Sequence, residues 1–190
     1  MHRHFRIYKP GGFLSQFISN QRLRKNKRLL GELYDFPEGT MAVGRLDEAS
    51  EGLLLLTTNG KLSTLVTRGK VEKEYLVQVD GLFDQYGAEQ LRQGVTISIG
   101  GKPYLTRPCK LRILDLPPGL PESARPVRDE RHGPTSWISI ILTEGKFRQV
   151  RKMTAAVGFP TLRLVRIRIG NEILGDQRPG EVQEVSRFDL

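Results

Sequence analysis

Gly44-Arg45-Leu46-Asp47-Glu48-Ala49-Ser50-Glu51-Gly52-Leu53-Leu54-Leu55-Leu56-Thr57 sets a polar, glycine-bounded turn against an unbroken apolar run. A run of this length, closed by Asn59-Gly60, reads as a buried strand. Met41-Ala42-Val43 on the other side of the turn is a second run of the same type. The turn therefore sits where a rigid sheet presents side chains to a cleft. Local chemistry alone favours Asp47 as a turn acid capping a backbone amide. A metal site built from Asp47, Glu48 and Glu51 ranks low, because the basic surroundings would repel a cation.

Working outward, Phe5–Lys9 reads as a strand stopped by Pro10-Gly11-Gly12, and residues 19–28 as an exposed basic arm. Leu29–Phe36 is expected to form one helix of about two turns ending before Pro37. Lys61–Thr67 reads as a short helix, Glu74–Val79 as a strand, and Asp84–Gln93 as a helix closed by Gly94. Val95–Ile99, Pro103–Thr106 and Lys110–Leu114 follow as strands. Residues 116–135, rich in Pro, Gly and charge, read as a flexible insertion, because strand-like Trp137–Thr143 resumes directly after it. A helix over Phe147–Val157, ended by Gly158, and a strand over Leu162–Ile169 complete the body. Strands and helices alternate without a regular beat, so the fold class is α+β with a largely antiparallel sheet. The 190 residues suit one domain, or two lobes around a shared core.

Lys and Arg number 30 against 21 Asp and Glu, a net charge of +9, which calls for a polyanionic partner. Half of the basic residues fall in two blocks, eight within 1–28 and seven within 144–168. The plain alternative is a pair of solvated faces. Against it, Phe5, Tyr8, Phe13 and Phe17 lie among the first charges, and Arg163, Arg166 and Arg168 alternate with Leu164, Val165, Ile167 and Ile169. A strand with one apolar and one arginine face would track phosphates. Other classes drop out. No segment approaches the roughly 20 apolar residues of a membrane span, and no apolar run follows the basic N-terminus as in a secretory signal. A cytoplasmic protein is expected. Lone Cys109 cannot form an intramolecular disulfide, and His2, His4 and His132 are too scattered for zinc. No Gly-rich phosphate loop or dinucleotide fingerprint offers a place for a nucleotide cofactor.

Glu144-Gly145-Lys146-Phe147-Arg148-Gln149-Val150-Arg151-Lys152-Met153 runs from a glycine turn into a helix. Arg148, Arg151 and Lys152, three and four residues apart, would share a face and grip phosphates or one carboxylate, with a solvated face as the equal alternative. Lys73-Glu74-Tyr75 opens a strand, and Tyr75 alone is more often a half-buried strand aromatic than a catalytic group.

Taken together, these stretches resemble the pseudouridine synthases of the branch that acts on ribosomal RNA. Four motifs carry the resemblance in order: Lys9-Pro10-Gly11-Gly12-Phe13-Leu14-Ser15, Gly44 to Gly60, Lys73-Glu74-Tyr75, and Glu144 to Gly170. Many members carry an additional N-terminal S4-type RNA-binding domain; this chain starts at the first motif, so it looks like the short form, whose catalytic domain must supply the whole grip on RNA. The resemblance implies a bent, mainly antiparallel sheet flanked by helices, with an RNA-binding cleft across the middle. It implies Asp47 as the nucleophile that attacks a flipped-out uridine or acts through its sugar, and Arg151 as the basic partner that keeps the carboxylate charged. Tyr75 would stack on the uracil and take part in removing the C5 proton. Arg45 would fill the space left by the flipped base, and Leu46 and Leu53 would wall the pocket. Lys73, Lys146, Arg148, Lys152, Arg163 and Arg166 are the expected substrate-binding cations. The partner is ribosomal RNA, with 23S RNA or an assembling large subunit expected, and the chain is expected to work as a monomer without metal or cofactor. A non-catalytic RNA-binding or ribosome-assembly protein on the same scaffold is the competing class, and a metal-dependent nuclease the third.

Overall fold

In the computed structural model, which describes residues 2–18, 27–68 and 70–190, the four leucines form the centre of a strand, Glu51–Thr57, whose every residue is buried. Their side chains alternate. Leu54 and Leu56 enter one apolar cluster with Phe5 and Ile7, while Leu53 and Leu55 enter a second with Tyr8 and Val43. A strand covered on both faces loses the polar alternation of a half-exposed one, which is why the run is unbroken.

The strands in chain order are β1 (His4–Lys9), β2 (Met41–Val43), β3 (Glu51–Thr57), β4 (Lys73–Asp80), β5 (Thr96–Ile99), β6 (Lys102–Leu105), β7 (Lys110–Leu114), β8 (Thr135–Leu142), β9 (Thr161–Ile169), β10 (Glu172–Ile173) and β11 (Val182–Val185). The helices are α1 (Gly60–Arg68), α2 (Gln85–Gln93) and α3 (Gln149–Ala156). One sheet runs β11-β1-β3-β9-β4-β8-β7, with β2 added to β3 and β10 to β9, while β5 and β6 form a separate hairpin. The class is α+β.

All pairings between these strands are antiparallel except β3 with β9, which meet in parallel through Glu51 opposite Val165 and Gly52 opposite Arg166. That short seam joins the two halves of the sheet. Gly52 makes it possible: its φ is +103°, and a Cβ there would stand 2.2 Å from the carbonyl oxygen of Arg166. Helices α2 and α3 cover one face through Ala88, Leu91, Val150 and Met153, and α1 covers the other through Val66. No helix among the described residues is long and apolar enough to cross a membrane.

Two expectations need correction, and two short strands lie beyond what local pattern reveals. The helix over Leu29–Phe36 is a single 3-10 turn, Leu30–Glu32. Gly31 weakens the helix, and the chain beyond it leaves the helical path so that Phe36 packs edge-on against both Phe5 and Phe17 at 5.3 and 5.4 Å. The polar strands β10 and β11 carry too little pattern to be read, and β11 pairs along β1 at the sheet's edge. The arginine strand is not a phosphate-facing surface. Arg163 and Arg166 are buried, and Arg168 pairs with Glu72 and Glu74. Register shifts of β9 against β4 lie beside Tyr75 and beside Val79, and in the unbroken register between them Arg163 and Arg166, three residues apart, fall on opposite faces of the strand.

Of the basic arm, residues 19–26 lie outside the described residues, while Lys27 forms an ion pair with Glu48. Residues 116–134 hold no strand and one 3-10 turn, Glu130–His132. They are tied to the body: Arg163 donates to the Pro121 carbonyl at 2.7 Å, Ser123 donates to Glu51 at 3.2 Å, and Arg128 pairs with Asp80.

Candidate active site

Asp47 lies in the turn between β2 and β3, and the turn is pinned from the strand β1 side. The Ser15 hydroxyl donates to the carbonyl of Leu46 at 2.8 Å and accepts from its N–H at 2.9 Å. The carbonyl of Glu48 accepts from the Gly12 N–H at 2.7 Å and from the Lys9 amine at 3.3 Å. That amine is fully buried and also donates to the carbonyls of Pro10 and Phe13 at 2.9 and 2.8 Å. Burial pushes it down to about 7, against the pull of Glu51 and Glu48. Asp47 is therefore flanked by two anchored residues while its own carboxylate stays partly exposed, at 20%.

From the other half of the molecule, α3 brings Arg151 to this carboxylate. Its Nε stands 3.6 Å from Asp47 Oδ2, and its Nη2 donates to the Ser50 hydroxyl at 3.1 Å. The Nε is buried with no hydrogen-bond partner, so the Asp47 charge is its nearest compensation. Burial lowers the Arg151 pKa while Asp47 opposes the shift. Arg148 approaches the same oxygen to 3.7 Å. It sits at the N-terminal boundary of α3 with φ +52°, the only non-glycine residue at positive φ among those described. A side chain held in that region costs about 1–3 kcal/mol and is characteristic of functional sites.

These groups open onto a cleft of about 630 Å³ at the centre of the sheet. Val43, Val66, Leu142, Leu164 and Ile169 give it apolar walls. Seven cations, Lys27, Arg45, Lys73, Lys146, Arg148, Arg151 and Arg166, line it against three acids, Asp47, Glu48 and Glu144. Such a cleft holds an apolar ring in its depth and draws a polyanion to its mouth. Tyr75 lines it from β4 and is itself mostly buried.

Nine of the twelve residues singled out from the sequence line this cleft: Arg45, Leu46, Asp47, Lys73, Tyr75, Lys146, Arg148, Arg151 and Arg166. Three do not. Leu53 alternates to the far side of β3 and packs with Tyr8 and Val43. Arg163 is buried against Glu51, with its Nε and Nη2 at 2.9 and 3.0 Å from the two carboxylate oxygens. The Lys152 amine donates to the Ser98 carbonyl at 2.7 Å. The shared face expected for Arg148, Arg151 and Lys152 is thereby divided, because Arg148 precedes the helix and Lys152 points to β5. Glu51 and Glu48 form ion pairs with Arg163 and Lys27. Ser15 and Ser50, which fix the Asp47 turn and Arg151, carried no assigned role; both lie within stretches that bore the resemblance.

The fold is shared with a solved pseudouridylate synthase. The chain belongs to the family of RNA pseudouridylate synthases, whose match covers residues 3–156. It is 46% identical over 167 residues to the ribosomal large subunit pseudouridine synthase E of Xanthomonas axonopodis pv. citri, covering 87% of this chain and 84% of that protein. To the synthase E of Vibrio parahaemolyticus it is 41% identical, over 93% of this chain and 71% of that one. Among solved structures, a pseudouridylate synthase crystal structure superposes with a TM-score of 0.77 at 25% identity, over 98% of this chain and 71% of the other. A Cbf5-Nop10-Gar1 complex shares the fold alone, at 12% identity and a TM-score of 0.53, over 88% of this chain and 49% of the matched chain.

Proposed function

We propose that this pseudouridine synthase acts on ribosomal RNA, at a uridine of 23S RNA, free or in an assembling large subunit, with Asp47 as its nucleophile. Residues 1–190 would act as one catalytic domain, a monomer in the cytoplasm. The observation that carries the reading is the Asp47 carboxylate held between the guanidinium groups of Arg148 and Arg151 in a cationic cleft. The synthase E names of the similar Xanthomonas and Vibrio proteins support the choice of large-subunit RNA.

The reaction breaks the bond from C1′ to N1, turns the uracil, and joins C1′ to C5. N1 gains a proton and C5 loses one, so there is no net redox change and no call for a redox cofactor. The base must leave its stack to reach a carboxylate inside a cleft. Asp47 acts on the flipped nucleotide, Arg151 orients the carboxylate and balances its charge, and Tyr75 offers its ring to the uracil. Arg45, exposed at the lip, takes the space the base has left. The cations at the mouth bind the flanking phosphates.

The test is a tritium-release assay on a 23S transcript labelled at uridine C5, followed by mapping of the pseudouridine formed. The wild type releases tritium at a defined site and Asp47→Asn releases none. Release by that variant at the wild-type rate would remove Asp47 from the chemistry, and absence of release by the wild type would remove 23S RNA as the substrate.

A further inference from the structure

Glu144 and Gln149 are buried, and between them Gly145, Lys146, Phe147 and Arg148 are all exposed. The feet of this short stretch are fixed. Gln149 donates from Nε2 to Glu144 at 2.6 Å and accepts from the Lys146 N–H at 2.9 Å. Glu144 is held in turn by the Arg107 N–H at 2.8 Å and by the Tyr104 hydroxyl. The left-handed backbone of Arg148 completes the bend. Phe147 is thus held at the rim of the Asp47 cleft with 68% of its surface in water.

A large apolar ring presented to solvent on an anchored loop asks for a flat apolar partner. Its surroundings say which kind. The Lys152 ammonium lies 5.2 Å from the Phe147 ring centroid, and the Lys146 ammonium lies 4.9 Å from that of Tyr104. Aromatic faces interleaved with cations are how proteins hold unpaired nucleotides, the ring taking the base and the cations the backbone. We propose that Phe147 is a stacking platform for the base of an unpaired nucleotide adjoining the target uridine, with Lys146 and Arg148 on its phosphates. This rests on the cleft being the RNA site. It assigns to the lip a role separate from the isomerisation: choosing RNA whose neighbouring base is free to splay out.

The probes are two hexauridylates, each with one 2-aminopurine, placed 5′ of a central uridine in one and 3′ in the other. The wild type should quench the fluorescence of one probe on binding at low salt. Phe147→Ala should lose the quench and bind about tenfold more weakly, the scale of one base–aromatic stack, while Phe147→Tyr keeps both. In the tritium assay Phe147→Ala should raise KM with kcat unchanged. Equal quenching by Phe147→Ala and the wild type, no quenching of either probe by the wild type, or an unchanged KM would each overturn the proposal. The two readings separate cleanly. Quenching that depends on Phe147 without any tritium release leaves the platform standing and the 23S assignment fallen, and release with quenching indifferent to Phe147 does the reverse.

Discussion

Arg151 reaches Asp47 and Ser50 at once, its Nε 3.6 Å from the Asp47 carboxylate and its Nη2 3.1 Å from the Ser50 hydroxyl. Both contacts are to the one turn between β2 and β3, reached from α3 in the other half of the molecule, and they use the planar fork of the guanidinium. Lysine has one point of charge and cannot make both. Arg151→Ala is expected to lower kcat by about 10²–10³, the scale of removing one group that holds a reacting charge. Arg151→Lys should recover only part of that. Both are read as single-turnover rates at saturating RNA. A lysine variant with the wild-type rate would reduce Arg151 to a charge and leave the fork without function.

Arg163 and Arg148 should separate in a salt series. Arg148 stands at the cleft's lip, and Arg148→Ala is expected to flatten the dependence of log K on log salt by about 0.7, one phosphate contact on single-stranded RNA. Arg163→Met should leave that slope unchanged, because its guanidinium is spent on Glu51. It should instead cost about 3–5 kcal/mol of stability by leaving a buried carboxylate without its guanidinium. Replacing both, Glu51→Leu with Arg163→Met, should restore most of the loss. Filter binding and urea unfolding measure the two effects. A fall in the salt slope for Arg163→Met would return this residue to the RNA surface.

The contrast between these arginines shows where sequence reading reaches its end. Strands β3, β4 and β8 and helix α2 announce themselves through local pattern, and Asp84 even caps α2 as its position suggests, accepting from the Gly87 N–H at 2.7 Å. An arginine alternating with leucines looks the same whether it faces water or a carboxylate. Glu51, which decides the matter, is 112 residues away. The register shifts of β9 are equally silent, since they are set by the partner strand. Asp47 and Arg151 were legible only as a pair of motifs; by local chemistry Asp47 was a turn acid. The helix expected at Leu29–Phe36 failed for the same kind of reason, because Phe36 answers to Phe5 and Phe17 rather than to its neighbours.

Gly52 should tolerate no side chain. A methyl group would meet the carbonyl oxygen of Arg166 at 2.2 Å and its amide nitrogen at 2.7 Å, at a φ of +103°. Both contacts are with backbone, which cannot step aside without opening the seam between β3 and β9. Gly52→Ala is expected to lose more than about 3 kcal/mol. Gly145→Ala, with nothing within 4 Å of its would-be Cβ, should stay within about 0.5 kcal/mol of wild type. Thermal unfolding compares them. A folded Gly52→Ala of normal stability would mean that the seam is looser than these distances imply.

Lys9 ties the first motif to the Asp47 turn, and its titration gives a handle on that tie. Its ordinary value of 10.5 falls to about 7 on folding, chiefly through burial, against the attraction of Glu51 and Glu48. Between those two values the unfolded chain holds a proton that the folded chain has released. Stability therefore rises with pH through that window, by up to about 1.4 kcal/mol per pH unit, and the gain is lost as pH falls back toward 7. Other groups titrate in the same range, so the test is a difference. Urea unfolding at pH 7.5 and 9.5 should show a rise in the wild type that is smaller in Lys9→Met. The methionine variant should also be less stable at pH 9.5, because the carbonyls of Pro10 and Phe13 lose their donor, while that of Glu48 keeps the Gly12 N–H. Equal pH slopes in the two proteins would mean that Lys9 stays charged in its burial, with those three carbonyls alone sufficient to solvate an ammonium beside the residue next to Asp47.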